Sequence, residues 1–405
     1  MTETDTPRQA AMFVGPFLTA KRAARIAFAA SALLVAACQS IVPKGTGPTT
    51  PSGPAQPTGP DIGPGLPTDT ARNRVALLVP MSGPNAGVGQ SIANATTLAL
   101  LDTKADKVRI TTYDTNLGAA AAASRALADG NKLILGPLLA DDARAVGPIA
   151  ARASVPVISF SNDVSVAGNG VYLMGYNPNQ SIERVVTFAR GKGLSRFGAL
   201  VPRGTYGERS GTALLRAVEQ AGGTVVSMQT FDRTPASITA AVKKLQGSSS
   251  YDALLIADSG RVAIQVAPIV RKNGGASARL LGTELWNTES ALAASPAMRG
   301  AWFASVSDGL YRQLATKYRT RYGNAPFRLS SLGYDAVLLT VRIARDWKPG
   351  TAFPTARLRD NGGFSGIDGA FRFDRNGVAE RALEVSEVGA GAFSVADPAP
   401  RGFGE

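Results

Sequence analysis

From Arg74 onward the chain alternates short apolar runs with stretches of helical periodicity. Residues 74–80 (RVALLVP) are apolar at nearly every position, and a Gly-rich loop (MSGPNAGVGQ) and a helical pattern over 91–102 follow. A run at 108–114 (VRITTYD) precedes a helix over 119–129. Runs at 132–136 (KLILG) and 155–160 (VPVISF) bracket a helix beginning near Asp142. Strands that read as near-continuous apolar runs belong to parallel sheets covered by helices on both faces, and strand–helix alternation predicts βαβ units. The pattern then restarts. Residues 196–202 (RFGALVP) echo 74–80, again with a Gly-containing loop (RGTYGERSG) and a helix to about Ala221, and strands at 224–231, 252–257 and 279–283 follow. Such an echo predicts two similar lobes rather than one long sheet. After 302–306 the pattern turns helical over 310–322 and 332–347, where Ala336, Leu339, Ile343 and Trp347 keep helical spacing. A Gly-rich β segment (FSGIDGAFRFDRNG) and a strand over 384–388 come last. From Gly389 the chain is rich in small residues and is expected to fray.

The N-terminus has a different pattern. Lys21, Arg22 and Arg25 precede an apolar run at residues 26–36 (IAFAASALLVA), which leads into Leu34-Val35-Ala36-Ala37-Cys38. A basic region, a short apolar core and small residues before a cut describe a secretory signal, and the run is shorter than the roughly 20 residues of a membrane-spanning helix. A cysteine at the cut makes the segment similar to a bacterial lipoprotein signal, in which the acylated Cys38 becomes the new N-terminus. Gln39 stands where an aspartate would retain such a protein at the inner membrane, which points to the outer membrane. Residues 39–72 are dominated by Pro, Gly and Thr and cannot bury a core.

Composition narrows the chemistry. Among 405 residues there is no histidine and one cysteine, so Cys/His zinc sites, Cys-His catalysis and an internal disulfide are excluded. The sequence contains no GxSxG, GxxxxGK[ST] or SxxK motif. An enzyme is therefore not expected, and neither a cofactor nor a metal is called for. Net charge is +13, of which all but two units lie from Cys38 onward. No Lys/Arg run is interleaved with aromatics, so nucleic acid is not an expected partner, and an Arg-rich surface fits better.

Four segments, in order, make the chain from 74 to 388 resemble the leucine/isoleucine/valine-binding family of type 1 periplasmic binding proteins. They are LLVPMSGPNAGVGQ, ILGPLLADDARAVGPIAARASVPVISFSND, TYGERSG, and the pair GYDAVLLTVRIA and GIDGAFRFDRNG. The resemblance implies an α/β fold of two Rossmann-like lobes with parallel sheets, joined by a multi-crossing hinge. The implied organisation is a signal peptide at 1–37, an acylated cysteine and linker at 38–72, lobe one at 73–178 plus 309–378, lobe two at 179–308 plus 379–395, and a disordered tail at 396–405. A ligand would lie between the lobes, where open α/β sheets bind theirs. The implied ligand-binding positions are Ser82, Asp141, Ser161, Asn162, Tyr206 and Glu284, with Glu284 as an acid for a ligand ammonium and Tyr206 at the family's Tyr-Gly position.

Lobe one departs from the family. Leu139, Ala140, Asp141 and Asp142 replace a Ser-rich turn after Gly136-Pro137, and Asn162 and Asp163 replace a small residue and a threonine. Three carboxylates there would repel an anionic ligand group, although one of Asp141 and Asp142 also reads as a helix N-cap. Two functions remain open. One is a lipid-anchored periplasmic receptor for a small amino-acid-like or amide solute, serving an inner-membrane ABC permease. The other is an outer-membrane penicillin-binding protein activator that stimulates a peptidoglycan synthase by contact.

Overall fold

The first lobe opens with strand β1 (Asn73–Val79), whose residues alternate between two buried faces. The protein is described by a computed structural model covering residues 71–247 and 250–403. The expected signal, Cys38 and nearly all of the linker lie outside these residues. Among the described residues no helix is long and apolar enough to cross a membrane. The chain continues through α1 (Ala86–Asp102), β2 (Val108–Asp114), α2 (Ala119–Ala128), β3 (Ile134–Leu135), α3 (Ala140–Arg152), β4 (Val157–Ser159) and β5 (Val171–Leu173). The second lobe contains α4 (Pro178–Gly191), β6 (Arg196–Pro202), α5 (Thr205–Gln220), β7 (Thr224–Phe231), α6 (Pro235–Gln246), β8 (Ala253–Ile256), α7 (Gly260–Lys272), β9 (Arg279–Gly282) and β10 (Trp302–Ser305). Then α8 (Gly309–Tyr322), α9 (Ser330–Ala344), β11 (Phe364–Gly366), β12 (Gly369–Phe373) and β13 (Ala379–Arg381) pack on the first lobe, and β14 (Glu384–Val388) and β15 (Phe393–Asp397) complete the second.

The echo seen in the sequence is a topological repeat. The first sheet has the order β2-β1-β3-β4-β5, all parallel, and the parallel part of the second runs β7-β6-β8-β9-β10. In each, Val, Leu and Ile side chains face helices on both sides, which is why the strands read as unbroken apolar runs. The chain passes between the lobes three times, after β5, between β10 and α8, and between β13 and β14. Both lobes aim the C-terminal ends of their parallel strands at the space between them.

Three details differ from the sequence-based expectation. Helix α1 begins at Ala86, five residues before the helical pattern, because its glycines belong to the helix. A Cβ on Gly89 would lie 1.8 Å from the Pro80 carbonyl oxygen, and one on Gly207 in α5 would lie 1.7 Å from that of Pro202. In each lobe a glycine thus lets the first helix settle against the end of its strand. Second, β13 pairs with β12, so the first lobe extends past residue 378. Third, the chain does not fray from Gly389, and its ordered part runs past residue 395. β15 pairs antiparallel with β14, Phe393 packs edge-on against Phe303 at 5.2 Å, and Arg184 bonds Asp397 at 2.6 Å.

Candidate functional site

The parallel strands end around an interlobe cavity of about 460 Å³. Lobe one contributes Asn85 and Val88 at the start of α1, Leu138 and Leu139 after β3, and Phe160 and Asn162 after β4. Across from these stand Ser181 on α4, the Glu284-Leu285 turn after β9, and Val306 after β10. Tyr176 after β5, Arg328 in the loop between α8 and α9, and Arg381 at the end of β13 complete the lining. This is the switch-point position of the sheet order, where neighbouring strands send their loops in opposite directions.

Glu284 is held by its own lobe. Trp286 is fully buried and donates from its ring N–H to the Asp258 carbonyl at 3.0 Å, which pins the turn. Ser181 Oγ donates to Glu284 Oε2 at 2.5 Å, and Tyr206 donates to Oε1 at 3.2 Å while sharing a 2.9 Å bond with Thr283. Burial pushes the Glu284 carboxyl above the usual range despite the bonds from Ser181, Tyr206 and Thr283, and it raises the Tyr206 phenol as well. No described Lys or Arg pairs with Glu284. It is an acid surrounded by hydroxyls, with one side toward the cavity.

The other sequence-derived positions scatter. Asn162 lines the cavity with Glu284. Ser161 is buried and builds the turn after β4, its Oγ accepting the Asp163 N–H at 3.1 Å. Ser82 faces β2, where its Oγ accepts from Asn116 at 3.0 Å. Asp141 is 94% exposed and bonds Arg144 at 2.5 Å, away from the cavity lining. Neither Asp141 nor Asp142 is an N-cap. Leu139 occupies that position, and the two acids sit in the first turn of α3, where the helix dipole favours them.

None of the three carboxylates lines the cavity, and Asp163 is paired with two arginines. Its Oδ2 meets Arg144 Nη2 at 2.8 Å, and its Oδ1 meets Arg209 Nη2 at 2.7 Å and accepts from the Ser165 hydroxyl at 2.6 Å. Burial pushes this carboxyl up, but the Ser165 bonds and Arg209 outweigh it and hold it down at about 2. Because Arg209 lies on α5 and Arg144 on α3, Asp163 ties one lobe to the other.

The sequence reading missed the hinge cluster. Tyr176 donates to Asp368 Oδ2 at 2.5 Å, and Arg328 Nη1 lies 2.8 Å from Asp368 Oδ1. Arg328 Nε donates to Asp308 at 3.2 Å, and Asn287 of lobe two donates to the same oxygen at 3.0 Å. Behind them Asp335 accepts the Ile367 N–H at 2.7 Å. Burial raises both buried acids. The charge of Asp368 raises Asp335 further, whereas Arg328 and Arg381 bring Asp368 below the usual range. Asp335 and Asp368 stand in the GYDAVLL and GIDGAF segments, so the paired motif is one contact. Only a glycine fits at 366, since a Cβ there would lie 2.4 Å from the Asp335 carboxylate. Among the described residues no group of three or more acids or cysteines could hold a metal ion.

Comparison with known proteins agrees with this architecture. A crystal structure of a leucine binding protein from Thermotoga maritima is 19% identical, with a TM-score of 0.60 over 81% of this chain and 99% of that one. A branched chain amino acid ABC transporter periplasmic ligand-binding protein from Burkholderia xenovorans has a TM-score of 0.67 at 17% identity, over 82% of this chain and 96% of its own. Full-length LpoA from Haemophilus influenzae has a TM-score of 0.63 at 20% identity, over 81% of this chain and 59% of its own. At these identities the shared property is the fold. An uncharacterized protein of Rickettsia prowazekii is 24% identical over 177 residues, 43% of this chain, so the match spans about half (47%) of that relative's length. The sequence profile of the periplasmic binding proteins matches residues 73–392, from the first strand of lobe one to the last hairpin of lobe two. With two parallel-sheet lobes, three crossings and a cavity at their strand ends, the chain belongs to the periplasmic binding protein family.

Proposed function

We propose that the protein is an exported receptor, anchored through acylated Cys38, that closes its lobes around a small amino-acid-like or amide solute. Glu284 carries this reading. An acid beside a cavity, with hydroxyls but no cation as side-chain partners, is a strong partner for a ligand amine, because a charge-assisted bond gains strength where water is excluded. The linker would let the receptor reach an inner-membrane ABC permease, and hinge closure would be the signal that the solute is aboard. The solute-binding character of the fold supports a non-enzymatic role.

A second reading, contact activation of a peptidoglycan synthase from the outer membrane, draws on the lipoprotein signal and the Pro/Gly-rich spacer. The two separate in one experiment. The purified protein is heated with a panel of amino acids and small amides, since a ligand at a hundred times its Kd adds about 2.7 kcal/mol to unfolding. A raised melting temperature supports the receptor. No shift across the panel, with co-purification of a peptidoglycan synthase, favours the activator.

A further inference from the structure

We propose that the face of lobe one remote from the cleft is a docking surface for a bilayer of anionic lipid, with Arg72, Lys104, Lys107, Arg109 and Arg345 meeting the headgroups and Leu101 entering between them. This goes beyond the receptor reading and rests on the part of it that anchors the protein through Cys38. The face forms where the parallel strands begin, since Asn73 and Val108 start β1 and β2 side by side, and the cavity lies at the opposite ends. Asn73 is buried and fastens three segments here. Its N–H donates to the Lys107 carbonyl at 2.8 Å, and its side-chain amide donates to the Trp347 carbonyl, just past α9, at 2.9 Å. Lys107 Nζ in turn donates to the Arg345 carbonyl at 3.2 Å.

Beside this junction a shallow groove of about 510 Å³ has an apolar floor of Leu101, Val108 and Ile110 and a rim of Arg72, Lys104 and Arg109. Among the described residues that line it, Asp106 is the one acid. The neighbouring Asp102 does not offset the cations, because Lys317 meets it at 2.9 Å and Tyr334 donates to it at 2.8 Å. Leu101 is 52% exposed in the middle of this basic surface. Cations set around an exposed apolar side chain match the headgroup layer of a bilayer, where phosphate meets hydrocarbon. An acidic protein segment would satisfy the rim and leave the leucine in water.

The chain's own connection selects the same occupant. Arg72 stands on the rim, and 33 residues, 39–71, separate it from Cys38. An acyl group on Cys38 therefore draws the domain toward the bilayer by this face, and contacts too weak for a free protein act within one molecule. Each basic group near an anionic surface favours docking by about fivefold. Docked in this way, the protein turns its cleft away from the lipid and leaves it open to solute.

The test uses the mature full-length protein, its N-terminal mass measured first, in nanodiscs of phosphatidylcholine with or without phosphatidylglycerol. Ala128→Cys, exposed at the end of α2 where β3 is about to begin, carries a donor dye, and labelled lipid carries the acceptor. Energy transfer should at least double on the anionic bilayer and fall back in ~0.5 M salt, which screens such contacts. Lys104→Gly with Lys107→Gln removes two cations without straining the turn, because Lys104 has a left-handed φ of 49° that suits glycine. That variant should lose most of the gain at a nearly unchanged melting temperature. Should it not fold, the lipid and salt comparison decides. Equal transfer on both bilayers would overturn the docking surface, while a measured acyl mass leaves the anchor standing. An N-terminus without that mass removes both. A gain kept in full by the double variant would take the contact away from this face.

Discussion

Replacing Arg209 by alanine removes the lobe-two half of the bridge at Asp163 and leaves the lobe-one half in place. Arg209 Nη2 on lobe two is 2.7 Å from Asp163 Oδ1 on lobe one, and moving the lobes apart must break this contact. Arg144 and Ser165 belong to the same lobe as Asp163 and travel with it, so the acid keeps partners in either state. The pair therefore contributes to closure and hardly to folding. A hydrogen bond between charged groups contributes about 1.5–3 kcal/mol. Arg209 is 34% exposed and Asp163 10%, so solvent screening brings the figure to about 1 kcal/mol. That corresponds to about a fivefold change in the closed-to-open ratio, and at most the same loss in apparent ligand affinity. Small-angle scattering and distances between dyes on α2 and α6 would report the shift, with the melting temperature nearly unchanged. The sign with pH follows from the depressed carboxyl. The bridge is fully present above the unfolded-state value near 4 and is lost as pH falls toward about 2. Unchanged lobe distances and affinity in Arg209→Ala, alongside a change in Arg144→Ala, would refute the reasoning and make Asp163 an anchor internal to lobe one.

Other substitutions probe the acid sites. Glu284→Gln should abolish the thermal shift given by a cationic-amine ligand while leaving the unliganded melting temperature equal or slightly higher, because it removes a charge whose burial is unfavourable; an unchanged ligand shift would take Glu284 out of the site. Gly366→Ala forces a Cβ to within 2.4 Å of the Asp335 carboxylate and should lower stability by about 1–3 kcal/mol, read by denaturant titration. Asp335 has a raised carboxyl, so above pH ~4 the unfolded chain ionises first and stability falls as pH rises toward neutrality. Asp335→Asn should flatten that slope, and a slope equal to that of the unaltered protein would place the dependence on other groups.

Sequence periodicity was enough to reveal the two α/β lobes. Apolar runs covered on both faces and the repeated strand–Gly-loop–helix opening follow from local geometry, so β2, β6, β7 and β14 lie where the pattern put them. The family resemblance singled out Glu284 after β9 and Tyr206 at the start of α5, and the fold brings these two side chains into contact. What the sequence could not state is which distant segments meet. Arg328 and Arg381 lie in unremarkable stretches and meet only because segments 53 residues apart converge on Tyr176. Asp163 looked like an unpaired charge, since Arg144 and Arg209 are 19 and 46 residues away along the chain. The β15 strand looked like a tail, since small residues have little strand preference, until Phe393 and Arg184 supplied partners. Local pattern is set by neighbours in sequence, whereas charge pairing, burial and the sharing of an edge strand are set by neighbours in space, and only the folded chain brings those together.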